Sequence, residues 1–246
     1  MRFWFLLGFF NPSVRIFKKP LAGYFAMKVS ELSIAEQAKK VLSGIDELRP
    51  AQEKAVRAGL LDGMSLLICT PTASGKTLIA ELAAVKTILE HKQKVVYIVP
   101  LVALAQEKYR EFKARYAGLF NVALSIGDYD SADGRLIDQD LIITTSEKLD
   151  SLIRHHAPWI MYVKTLIIDE IHLLNDVSRG PTLEILITLL KRMLSNVQII
   201  GLSATIGNPE DLAEWMGAVC VKDLWRPVPL HQGILVGNEI EFRNRK

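Results

Sequence analysis

From residue 46 onward, two hydrophobic rhythms alternate along the chain. Apolar, β-branched runs at residues 65–69, 95–99, 122–125, 141–144, 165–168 and 198–202 carry no polar alternation, which predicts strands buried on both faces. Between them, residues 77–90, 104–116, 147–154 and 182–194 repeat their apolar positions at helical spacing. Strand–helix–strand alternation of this kind predicts an α/β fold, a mostly parallel sheet with helices on both faces. Right-handed crossovers then gather the loops that follow the strands at one edge, where open sheets bind ligands. No internal repeat or low-complexity segment interrupts the pattern.

Residues 1–26 have another character. Residues 3–10 are apolar but too few to span a bilayer, and Asn11-Pro12 and a basic stretch follow where a signal peptide would have small residues. Met27 opens a new register, with an amphipathic helical pattern over residues 32–42. Two readings stay open for the segment: an upstream start, with the working protein beginning at Met27, or a membrane-surface anchor.

Composition narrows the class. Half of the 246 residues are apolar and 23% are charged, which excludes a disordered or collagenous chain. Cys69 and Cys220 match no metal-ligand spacing and read as reduced core thiols. With no run long enough to span a membrane, the expectation is a soluble cytoplasmic protein. Net charge is +3, but Arg2, Arg15, Lys18 and Lys19 supply four positive charges to residues 1–26, which hold no acid. The remainder is near −1, so any nucleic-acid footprint must be a local patch.

Two segments carry candidate chemistry. Thr70-Pro71-Thr72-Ala73-Ser74-Gly75-Lys76-Thr77 follows a strand and opens a helix. Backbone N–H groups of such a loop wrap phosphate oxygens, and the helix N-terminus adds partial positive charge. Lys76 would reach the β- and γ-phosphates, and the Thr77 hydroxyl would ligate Mg²⁺. Thr70 stands where the strict G-x-x-x-x-G-K-T pattern has its first glycine, so an ordinary strand-to-helix turn stays open as the alternative. Asp169-Glu170 follows the strand at residues 165–168 at the same sheet edge. An Asp there can hold Mg²⁺ through water, and the Glu can orient and deprotonate an attacking water.

With these residues in view, a family resemblance emerges. Asp169-Glu170-Ile171-His172 resembles the DExH box of superfamily two helicases, and Ser203-Ala204-Thr205 their motif III. Leu48-Arg49-Pro50-Ala51-Gln52 resembles the upstream glutamine motif. Pro100-Leu101-Val102-Ala103-Leu104 is similar to motif Ia, and Thr144-Thr145-Ser146-Glu147-Lys148 to motif Ib. Gly127-Asp128-Tyr129-Asp130, Arg179-Gly180 through Glu184, and Trp225-Arg226-Pro227-Val228-Pro229-Leu230 narrow the match to the archaeal Ski-two-like DNA repair helicases. The resemblance implies a RecA-like P-loop NTPase domain over residues 27–224, using ATP and Mg²⁺. It implies adenine recognition by Gln52, phosphate binding by Thr72, Ala73, Ser74, Gly75, Lys76 and Thr77, and metal binding by Thr77 and Asp169. It assigns catalysis to Lys76, Asp169 and Glu170, and coupling to His172, Ser203 and Thr205. Strand contacts are implied for Pro100, Leu101, Thr145, Ser146 and Lys148, on single-stranded or forked DNA. Val102 departs from the arginine usual in motif Ia.

Residues 225–246 resemble the start of a linker into a second RecA-like domain, and nothing after Arg226 resembles that domain's Gln-x-x-Gly-Arg-x-Gly-Arg motif. The expectation is the front half of a motor that works with a partner domain. An RNA helicase domain, and a nucleotide-dependent binding module without turnover, remain the alternatives. His91, His155, His156 and His231 read as solvated, and Trp159, Trp215 and Trp225 as packing residues.

Overall fold

A computed structural model describes residues 27–127, 134–204, 206–228, 233–236 and 239–242. In chain order the elements are α1 (Glu36–Val41), α2 (Pro50–Arg57), β1 (Leu66–Cys69), α3 (Lys76–His91), β2 (Lys94–Ile98), α4 (Val102–Arg115), β3 (Val122–Ser125) and β4 (Leu141–Thr144). They continue with α5 (Ser146–Arg154), β5 (Val163–Ile168), α6 (Gly180–Met193), β6 (Gln198–Ser203), α7 (Pro209–Met216), β7 (Val219–Lys222), β8 (Gly233–Val236) and β9 (Glu239–Phe242).

Seven strands form one parallel sheet in the order β3-β4-β2-β5-β6-β1-β7, and β8 and β9 form a separate antiparallel hairpin. The unbroken apolar runs follow from what covers the sheet. Leu66, Ile68, Val95, Tyr97, Ile143 and Ile200 join the core shared with α3 and α4, while Leu67, Val96, Ile98, Ile142 and Ile199 join the core shared with α5, α6 and α7. Alternate residues therefore face opposite layers, and both layers are dry. Gly201 is where the second layer sits closest: a Cβ there would lie 3.0–3.1 Å from Ile171, Met216 and Leu67.

A polar thread crosses this core without leaving a donor stranded. Thr87 and Thr165 share a hydrogen bond of 2.6 Å, Thr165 donates to Gln198 Oε1 at 3.1 Å, and Gln198 Nε2 donates to the carbonyls of Leu60 and Met64 at 2.8 and 3.0 Å. The β1–β7 pairing also brings together the two cysteines so distant in sequence. Both are free thiols, and the Cys220 hydrogen bond together with burial pushes the Cys69 thiol far up.

Strand expectations hold to within two residues at each end, with five elements unforeseen: α2, α7, β7, β8 and β9. The helical pattern at residues 32–42 is realised only as α1. Upstream of it the chain is pulled into tertiary bonds instead, Val29 N–H to Asp46 O at 3.2 Å and Leu48 N–H to Met27 O at 2.9 Å. Leu32, Ile34, Ala38 and Leu42 are still buried. Residues 1–26, Asp128, Tyr129, Asp130, Thr205, Pro229, Leu230 and His231 lie outside the described residues. No helix among the described residues is long and apolar enough to cross a membrane.

Candidate nucleotide and strand site

Register decides which loops meet. Cys69 pairs with Ser203, Ile168 with Gly201, and Ile98 with both Ile168 and Thr144. The chain therefore leaves β1, β2, β4, β5 and β6 on one edge, and the ladders run one bond further. Thr70 N–H reaches Ser203 O at 3.2 Å, Asp169 N–H reaches Ile98 O at 2.9 Å, and Val99 N–H reaches Thr144 O at 3.0 Å.

After β1 the loop curls into a cup. Thr70 and Ser74 hydroxyls share a hydrogen bond of 2.7 Å, so the threonine at the first-glycine position tightens the loop rather than spoiling it. Ala73 and Gly75 hold positive φ angles of 64° and 89°. Gly75 is also the N-cap of the 16-residue α3 and offers its first turn no side-chain bond. The uncapped N–H groups there suit an anion. Lys76 Nζ lies folded across the cup and donates to Thr70 O at 3.1 Å.

Gln52 and Arg49 approach from α2. Gln52 Oε1 accepts from Arg49 N–H at 2.8 Å, and Nε2 donates to Gly75 O at 2.9 Å. Arg49 Nη1 donates to Ala73 O at 2.9 Å. Gln52 is buried, with both polar atoms engaged.

Two strands away, Asp169 Oδ1 accepts from Glu170 N–H at 3.0 Å and Oδ2 from the Tyr97 hydroxyl at 3.1 Å. Burial first, then the Asp169 charge, hold the Tyr97 phenol well above its ordinary range, so it remains a donor at neutral pH. Glu170 sits at φ 51°, a left-handed turn that swings its side chain beside His172. Glu170 Oε2 and His172 Nδ1 are 3.2 Å apart but out of line for a hydrogen bond, and both are buried without one. The Ser203 hydroxyl, on the strand between the two halves of the site, is likewise buried without a partner. These three atoms leave hydrogen-bonding capacity open on this edge, as does the Ser125 hydroxyl at the end of β3, while Trp159 Nε1 is unpaired in the core.

A cleft lined by Pro100, Ser146, Asp169, Glu170 and Arg179 joins the acidic pair to the expected strand contacts. Leu101 is exposed, and Thr145 caps α5 by accepting from Lys148 N–H at 3.4 Å. Lys148, on the same helix, is only 3% exposed, on the face that α5 turns inward.

The sequence pattern of the DEAD/DEAH box helicase family matches residues 49–212, from Arg49 beside the cup to Leu212 beyond motif III. This chain belongs to that family. The helicase domain is 54% identical over 210 residues to the ATP-dependent DNA helicase Hel308 of Pyrococcus abyssi, covering 85% of this chain and 29% of that protein. It is 56% identical over 209 residues to Hel308 of Methanocaldococcus jannaschii, covering 82% and 17%. Among solved structures it resembles the DUF1998 helicase MrfA bound to DNA and AMPPNP, with a TM-score of 0.68, 31% identity, and coverage of 78% of this chain and 29% of that one. The chain thus spans less than a third of the length of these helicases. Within the helicase family frame, Tyr97 and Arg49 are the contacts that motif reading missed. Arg49 stood inside a quoted motif without a role, and Tyr97 gave no sign until register placed it below Asp169.

Proposed function

We propose that this chain is the ATP-binding motor domain of an ATP-dependent DNA helicase, in which hydrolysis drives movement along a single strand. One observation carries it: the anion cup of residues 70–77, the acidic pair and the strand-contact residues open on a single sheet edge, with unsatisfied buried atoms between them.

Bound Mg-ATP would supply a strained phosphoanhydride and a cation that neutralises its β- and γ-oxygens. The chain's own groups fit that cargo. Lys76 can exchange the Thr70 carbonyl for phosphate oxygen by a rotamer change, and the Thr77 hydroxyl and Asp169 carboxylate are metal-ligating oxygens. Tyr97 fixes Asp169 from below. Glu170 Oε2, with no hydrogen bond of its own, can orient a water and take its proton. Gln52 is placed to read adenine only by spare valences, one N–H and one lone pair, since its other contacts hold the loop. His172 beside Glu170, with Ser203 and Thr205, would pass the state of this site to the strand.

Pro100, Leu101, Thr145 and Ser146 would track the phosphate backbone of single-stranded or forked DNA. The DNA-helicase names of the relatives, and the DNA in the MrfA structure, favour DNA over RNA. A second RecA-like domain would follow the linker that starts at residue 225 and complete the ATP cleft.

Calorimetric titration of Mg-ATP into the wild type and Lys76→Ala tests the core of this proposal. The expected result is binding by the wild type and none by the variant. Equal affinities would overturn it. Competition between oligodeoxythymidine and oligouridine should favour the DNA strand, and a preference for RNA would move the domain to the RNA-helicase branch.

A further inference from the structure

The phosphate cup is held from outside as well as from within. Arg49 Nη1 and Gln52 Nε2 take the carbonyls of Ala73 and Gly75, each at 2.9 Å. In a planar trans peptide the C=O of one residue and the N–H of the next point opposite ways. Drawing those carbonyls toward α2 therefore aims the N–H groups of Ser74 and Lys76 away from it, to the side where an anion would sit. Ser74 N–H meets only Pro71 O, at a long 3.4 Å. Ala73 is not glycine, and a positive φ there is unstable unless something holds the carbonyl.

Arg49 is itself braced. Its guanidinium carbon lies 5.6 Å from the centre of the Trp225 ring. Trp225 N–H donates to Asp223 Oδ1 at 2.6 Å, while Asp223 Oδ2 pairs with Lys54 of α2 at 2.6 Å and Asp223 N–H reaches Cys69 O at 3.2 Å. The segment leaving β7 and the start of α2 thus close around one arginine that faces the cup.

We propose that Arg49, backed by Trp225, is a positioning residue for the anion cradle: it sets the tilt of the Ala73–Ser74 peptide so that the loop meets a polyphosphate already formed. The proposal rests on the ATP-site assignment above and deepens it. Arg49 acts here through the loop's backbone, so its contribution should be felt by any polyphosphate, whatever base it carries.

The test measures displacement of a fluorescent ATP analogue by Mg-ATP and by inorganic triphosphate, in the wild type, Arg49→Ala, Arg49→Lys and Trp225→Ala. Thermal midpoints and nucleotide-free oligodeoxythymidine affinity are recorded alongside. Arg49→Ala should weaken ATP and triphosphate by the same factor, about tenfold, the usual scale for a charged hydrogen bond. Trp225→Ala should weaken both by a smaller common factor, and Arg49→Lys should restore part of the loss by keeping a donor near Ala73 O. Oligonucleotide affinity should not move, and midpoints should fall by no more than the few degrees that one hydrogen bond is worth. Unchanged affinities, or a loss for ATP without one for triphosphate, would overturn the proposal. So would a parallel fall in midpoint and oligonucleotide affinity, and so would a wild type whose bound analogue triphosphate cannot displace. A wild type that binds neither analogue nor ATP would instead defeat the ATP-site assignment, and this proposal with it.

Discussion

Tyr97 is fully buried in β2, yet its hydroxyl ends at Asp169 Oδ2, 3.1 Å away. A core side chain therefore sets the angle of a carboxylate assigned to the metal. Removing only that oxygen leaves the packing intact and frees one lobe of Asp169. Tyr97→Phe should cost roughly 1–2 kcal/mol of stability, the scale of a hydrogen bond to a charged group. It should also reduce the Mg²⁺-dependent part of ATP affinity several-fold, read by titrations with and without the metal. An unchanged metal dependence would mean that Asp169 is oriented by the Glu170 amide alone. Lys76, Asp169 and Glu170 were legible in the sequence because their chemistry is local: each follows a strand end and needs only its neighbours. Tyr97 was not, since it is one more apolar-run residue until β2 is set against β5. The burial of Lys148 was not legible either, because a basic residue in a strand-contact motif gives no hint that its helix turns it inward.

Helices α3 and α4 start from the two loops that matter most, and a single carboxylate ties them. Glu81, 4% exposed at its side chain, accepts two bonds from Arg115 Nη1 at 2.6 and 2.7 Å and one from the Tyr116 hydroxyl at 2.7 Å. Burial and this acid hold the Tyr116 phenol above its ordinary range, so it stays a donor. Glu81→Ala would strand the buried Tyr116 hydroxyl and leave the half-exposed Arg115 to water, and should cost roughly 1–3 kcal/mol, the scale for an unsatisfied buried donor. Glu81→Gln should cost less, and chemical denaturation separates the two. Between β5 and α6, Asp176 Oδ1 accepts from the Ser178 hydroxyl at 2.6 Å and from the N–H groups of Ser178 and Arg179, each at 2.9 Å. The Ser178 hydroxyl above all, then the Arg179 and Ser178 amides, hold this carboxyl below the usual aspartate range. With the folded value depressed, its stabilisation is present above the unfolded value near 4 and is lost as pH falls through the folded one. The gap in thermal midpoint between wild type and Asp176→Asn should therefore close on acidification from pH 6 to pH 3, and a constant gap would refute the assignment. The long elements were legible from periodicity alone. Short strands showed where the run was largely apolar, as in β3 and β4. Polar residues break up the apolar positions of α2, α7 and β9, while β7 and β8, each with three apolar residues in a row, were not read, β8 lying in the stretch that resembles a linker.

As a whole the described domain presents one working edge. Glu170 can place a water and Lys76 can meet the β- and γ-phosphates; under the proposed function a second domain would add a further cation for the charge that develops on the transferred phosphoryl group. An arginine finger from a partner domain is worth about 10³–10⁵ in rate, or roughly 4–7 kcal/mol of barrier. Under the proposed function the domain of residues 27–224 by itself should accordingly hydrolyse ATP near background and separate no strands, since closure needs a second domain. Supplying a second RecA-like domain in trans should raise turnover, and Glu170→Gln should erase the gain. Robust DNA-stimulated unwinding by residues 27–224 alone would sink this account.

The place of β6 has a metric consequence. Because it lies between β1 and β5, the cup and the acidic pair are held apart by two ladder spacings, about 9.5 Å. That interval is a gauge cut by backbone hydrogen bonds, and no side-chain substitution can retune it. Fit across the gap must come from reach alone: a long lysine from one rail and a short aspartate from the other. Lengthening Asp169 to Glu would add one carbon–carbon bond, about 1.5 Å, against a fixed width. The larger acid, though it keeps the same charge, should overshoot and serve the metal worse than its chemistry suggests.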